Sequence, residues 1–124
     1  MRYQMAIVLV ATLLGVAAVS AAASAWEYEF RPAKVEYVVY GGYLGDTIPP
    51  SKGDSKISFL ISGSAAREMF NALGPDRPDA CGADASTRVR EKREISCLRY
   101  SAKEYVCYVG FDLKTGKSIG GVIC

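Results

Sequence analysis

The stretch EISCLRYSAKEYVCYVGFD, residues 94–112, decides the fold. It reads as two β-branched, aromatic runs, 94–100 and 104–112, joined by a loop at Ser101–Lys103. If Tyr100 and Glu104 flank that three-residue loop, Cys97 lies directly opposite Cys107, close enough for a disulfide. A one-residue slip in register would separate them. The only other cysteines are Cys81 and Cys124. Four cysteines allow three pairings, and the hairpin favours Cys97–Cys107, leaving Cys81–Cys124 to pin the last residue. Zinc is the rival use of four cysteines. The gaps of 15, 9 and 16 residues contain no short C-x2-4-C knuckle, so two disulfides are preferred.

Working outward, Thr87–Lys92 is a further strand. Its junction with the next at Arg93 lacks Gly and Pro, so one long strand is the alternative to a hairpin. Downstream, Asp112–Gly116 reads as a turn with Gly116 in the left-handed position. Lys117–Cys124 is expected to close the sheet. Upstream lies one helix, with Ser64 as N-cap and an apolar stripe of Ala66, Met69, Phe70 and Leu73. Arg67, Glu68 and Asn71 fall on the other side. Gly74 at a left-handed C′ position and Pro75 are expected to stop it. Residues 75–85 form a loop carrying Cys81.

Before the helix, Lys56–Ser62 is a central strand and residues 35–40 (VEYVVY) another. Between them, from Gly41 to Asp54, runs a Gly- and Pro-rich loop that is long for so small a domain. Residues 26–34 alternate aromatic and charged side chains, as a short strand or an extended arm. With too few helices for crossovers, the pattern argues against a parallel sheet. The expected class is α+β: an antiparallel sheet of about five to six strands, one helix packed on a face, stapled by disulfides.

The beginning of the chain reads as an export signal. Arg2 supplies the positive n-region, Met5–Val19 the apolar stretch, and Ala23-Ser24-Ala25 the small-x-small cleavage pattern. Residues 1–25 are therefore expected to be removed, leaving a single domain at 26–124. Retention of residues 5–25 as a membrane anchor is the competing reading. An exported chain also suits the disulfides, in the periplasm or outside the cell.

Of 124 residues, 50% are hydrophobic and 23% charged, a globular composition. Removing 1–25 takes away only Arg2 among the charged side chains and leaves a net charge of +1. Neither nucleic acid nor an anionic membrane is indicated by so even a balance. There is no histidine, which excludes Ser-His-Asp and Cys-His catalysis and imidazole metal ligation.

Residues 110–118 (GFDLKTGKS) resemble a phosphate loop, but five residues separate the glycines where four are needed, and no helix follows. Arg88, Arg90 and Lys92 alternate along one strand face, with Arg93 and Arg99 nearby. With Glu91, Glu94 and Glu104 interleaved, this reads as a solvated face, or as a patch steering an acidic protein. Asp46, Asp54, Asp76, Asp79, Asp84 and Asp112 are turn residues suited to capping backbone N–H groups, not a catalytic pair or a calcium loop.

Eight tyrosines against four phenylalanines is the remaining signal, as Tyr is favoured both in sheets and at interfaces. The expected function is a non-enzymatic module without metal or cofactor, recognising or occluding a protein as an inhibitor or immunity-type protein does. Its expected contacts are Tyr43, Leu44, Asp46 and Ile48 in loop 41–54, and Asp112, Lys114 and Lys117 at the tip 112–117. A glycan- or small-ligand-binding domain using exposed Tyr and Trp26 is the alternative, and a structural envelope protein a third.

Overall fold

A computed structural model describes residues 17–18 and 25–124. Apart from residues 17, 18 and 25, the expected leader lies outside the described residues. Among them, no helix is long and apolar enough to cross a membrane. The chain divides into two compact units, Met1–Phe30 and Arg31–Cys124. In the first, residues 25–30 form no strand. Trp26, Tyr28 and Phe30 are exposed, their rings in sequence 6.4 and 5.7 Å apart. The alternating segment is thus an arm.

The second unit is a seven-stranded antiparallel sheet with one helix and both disulfides, Cys81–Cys124 and Cys97–Cys107. In chain order the elements are β1 (Lys34–Tyr43), β2 (Asp46–Ile48), β3 (Lys56–Ser62), α1 (Gly63–Ala72), β4 (Arg88–Lys92), β5 (Ile95–Ser101), β6 (Glu104–Asp112) and β7 (Ser118–Ile119). The sheet order is β2-β1-β3-β6-β5-β4. The seventh strand, β7, pairs with Gly110 and Phe111 of β6 beyond the end of β5. Seven strands exceed the expected five to six, and the shortest are β2 and β7.

β3 is central, as expected, between β1 and β6. Its side chains alternate between faces. Ile61 lies on one face beside Cys107 and Cys97, and α1 covers this face. Ala66 and Phe70 of the helix stripe are fully buried against the Cys97–Cys107 disulfide, with Met69, Leu73, Ile95 and Tyr105 packed around them. The helix begins two residues earlier than expected. Ser62, not Ser64, is its N-cap, without a side-chain capping bond. It ends without a left-handed glycine: Leu73 is extended and its N–H bonds Met69 O, so Gly74 has no capping role.

Ser58, Leu60 and Tyr108 alternate onto the opposite face. Here the C-terminal residues depart from expectation. After β7 the chain does not extend the sheet but crosses this face. Ser58 Oγ donates to Gly121 O. A β-carbon at Gly121 would lie 2.7 Å from the Val109 backbone, so only glycine allows the crossing. Cys124 is then drawn to Cys81 in the 75–85 loop, which lies along β4 through Arg77 N–H to Val89 O, 2.7 Å.

Two hairpins differ in detail from the sequence reading. The expected loop Ser101–Lys103 is only Ala102-Lys103, because Ser101 pairs with Glu104 and Tyr100 is bulged out. The bulge lies beyond the cysteines, so Cys97 still faces Cys107. At the β4–β5 junction the hairpin prevails over one long strand. Lys92 pairs with Ile95, and Arg93 takes a left-handed φ of 52° to make the turn.

Candidate functional site

The expected loop 41–54 is partly strand. β1 continues through Gly41 and Gly42 to Tyr43, then turns at Leu44-Gly45 into β2. Gly41 and Gly42, expected to open the loop, are needed for close approach within the hairpin. Gly42 has φ +70°, and a β-carbon there would lie 2.7 Å from Asp46 O. Asp54 Oδ2 accepts from Gly42 N–H at 2.8 Å and ties the β2–β3 turn to this hairpin. The other Asp54 oxygen accepts from Lys56 Nζ. These two bonds, that from Lys56 foremost, hold the Asp54 carboxyl below its ordinary pKa, and the same partnership raises that of Lys56.

The register brings the second expected region to the same end of the sheet. Tyr40 faces Lys56, and Lys56 faces Asp112. Leu113 N–H bonds Ser55 O at 2.9 Å, joining the β6–β7 turn to the β2–β3 turn. Asp112 Oδ1 caps the tip by accepting from Lys114 N–H at 2.8 Å and Thr115 N–H at 3.2 Å. Lys56 Nζ lies 5.9 Å from the centre of the Tyr43 ring. The end of the sheet thus carries exposed apolar side chains, Tyr43 at 80%, Ile48 at 55% and Leu113 at 53%, beside exposed Asp46, Lys114 and Lys117.

Two expected residues have other placements. Asp112 is committed to the turn. Leu44 is half-buried and lines a cavity with Leu60, Tyr108 and Ile123. Leu113 and Lys56 were missed. Leu113 was visible as an apolar residue at a tip, whereas Lys56 joins Tyr43 only through the β1–β3 register.

Two cavities flank the C-terminal crossing. One, of about 410 Å³, is lined by Arg93, Ser96, Leu98, Tyr100 and Tyr108. The other, of about 350 Å³, is the one holding Leu44. Burial pushes the Tyr108 hydroxyl above its ordinary pKa.

Most other carboxylates of the turns serve the fold. Asp84 Oδ1 accepts from the N–H groups of Ser86 and Thr87, and Asp79 pairs with Arg77. Asp76 bonds both Arg88 and Arg90, which hold its pKa down to about 2. Among the described residues no three Cys, Asp or Glu side chains converge as metal ligands would. Comparison with protein families, curated proteins and solved structures finds no match to this chain.

Proposed function

We propose that this chain is a small exported binding module without catalytic activity, which recognises or occludes a protein partner through the end of the sheet formed by the β1–β2 hairpin and the β6–β7 turn. The observation that supports this reading is the convergence of two sequence-distant tips. Together they bring the exposed apolar side chains Tyr43, Ile48 and Leu113, and the exposed Lys114 and Lys117, to one end of the sheet. A rigid aromatic anchor with aliphatic neighbours and a charged rim is the usual anatomy of a protein-binding patch.

The test is capture from envelope and secreted extracts with the oxidised protein, followed by affinity measurement on the partner found. Tyr43→Ala and Ile48→Ala are each expected to weaken binding at least tenfold, about 1.4 kcal/mol. Unchanged affinity in both variants would refute this surface. A second reading, a glycan or small-ligand domain, is supported by the cavities at Tyr100 and Tyr108. Saturable changes in Trp and Tyr fluorescence with oligosaccharides, and no protein captured, would favour it.

A further inference from the structure

On the helix-covered face, two aromatic rings meet edge to face, Phe70 and Tyr105, with centroids 5.4 Å apart. Each is flanked by two arginines. Arg88 and Arg90 lie with Cζ 5.5 and 4.3 Å from the Phe70 centroid. Arg67 and Arg99 lie 5.9 and 5.8 Å from that of Tyr105. The first pair holds a carboxylate. Asp76 accepts from Arg88 Nε at 2.6 Å and Nη2 at 3.1 Å, and from Arg90 Nε at 2.7 Å.

The second pair holds none. Neither Arg67 nor Arg99 is in an ion pair among the described residues. Arg99 Nε is buried and donates to nothing. A buried donor without an acceptor is costly, and more so when it carries charge. The nearest acids in sequence do not fill the gap. Glu68, next to Arg67, is taken by Arg31 through two bonds of 3.0 and 2.8 Å. Glu104, next to Tyr105 along β6, alternates onto the other face of the sheet.

We infer that the Arg67–Tyr105–Arg99 group is a carboxylate-binding site, and that its occupant is an acidic stretch of another polypeptide. The molecule itself displays the occupant's chemistry, since Asp76 fills the equivalent place beside Phe70. Planar guanidinium forks match carboxylate oxygens, and an aromatic ring beneath them holds the forks in place. Arg67 is on the exposed side of α1, so the site is open to a side chain presented by a protein surface. This surface is distinct from the end of the sheet and does not depend on it.

The test is an NMR titration of the oxidised protein, reading the Arg99 Nε–H and Tyr105 ring signals. The probes are a terminally blocked tetraglutamate peptide, its tetraglutamine counterpart and inorganic phosphate at matched ionic strength. Tetraglutamate is expected to shift both signals saturably, and tetraglutamine is not. Arg67→Glu, an exposed change that leaves the core alone, is expected to weaken the peptide at least tenfold. Arg99→Lys keeps the charge but loses the fork, and is expected to weaken it severalfold. Tyr43→Ala is expected to leave the titration unchanged. Silent Arg99 signals, equal binding of tetraglutamine, or full affinity in Arg67→Glu would overturn the site. Phosphate saturating the same signals at lower concentration than the peptide would overturn the polypeptide as occupant.

Discussion

Asp76 shows how one side chain organises its surroundings. It lies in a loop, at the start of a 75–85 segment whose Pro and Asp content marks it only as irregular. In the fold its carboxylate fastens that loop to β4 through Arg88 and Arg90, and hydrogen bonds from those two groups lower its pKa from 3.8 to about 2. A folded-state pKa below the unfolded one stabilises the fold above the unfolded value, and that contribution disappears as pH falls through the folded value. Stability is therefore expected to decline between about pH 4 and pH 2, and Asp76→Asn to flatten that decline while weakening the protein at neutral pH. Acid-unfolding curves of the two proteins check this, and parallel curves would contradict it. The alternation of Arg88 and Arg90 was readable in the sequence. That an aspartate 12 and 14 residues upstream pairs with both was not, because the partnership exists only once the loop folds back along the edge strand.

Among the elements, the β4–β5 hairpin is the instructive case. Its turn lacks the Gly or Asn that usually supplies a left-handed residue, which is why one long strand competed with it in the sequence. The hairpin forms because pairing sets Cys97 beside both Arg90 and Cys107, and because Val89 and Leu98 are buried across from each other. Burial outweighs a local backbone cost of roughly 1 kcal/mol at Arg93. Arg93→Asn, better suited to φ 52°, is expected to stabilise the protein by roughly 0.5–1 kcal/mol in chemical denaturation. No gain would mean that the arginine side chain earns its place against the neighbouring cavity. By contrast α1 was legible from its stripe alone, since the apolar period of a helix needs no partner to be seen. Its ends were not. The expected caps at Ser64 and Gly74 failed because the chain enters directly from β3 and leaves in an extended conformation.

At the level of the whole molecule, the two disulfides do different work. Cys97–Cys107 spans 10 residues within one hairpin, and its sulfurs are core beneath α1. Cys81–Cys124 spans 43 residues and joins the loop beside β4 to the end of the chain. In the chain-entropy account the longer loop contributes more, about 4 kcal/mol against just under 3. The double change Cys81→Ser with Cys124→Ser is expected to cost about 4 kcal/mol in denaturation and to free the crossing over β6. Tyr108, which lines both cavities beside that crossing, would then lose burial, and its hydroxyl would titrate closer to the ordinary tyrosine value. An unchanged tyrosine titration would show that Ser58 and Gly121 hold the crossing without the disulfide. The sequence by itself determined the class of fold, the central strand and the helix, and favoured the Cys97–Cys107 pairing, because alternation, helical period and hairpin register are local properties. Tertiary structure alone decided that the last five residues cross the sheet instead of joining it, that the β1–β2 hairpin and the β6–β7 turn come to one end of the sheet, and that Arg67 and Arg99 are left beside Tyr105 without a carboxylate. Those outcomes depend on strand order, and strand order is set by which faces bury together rather than by any residue's neighbours in the chain.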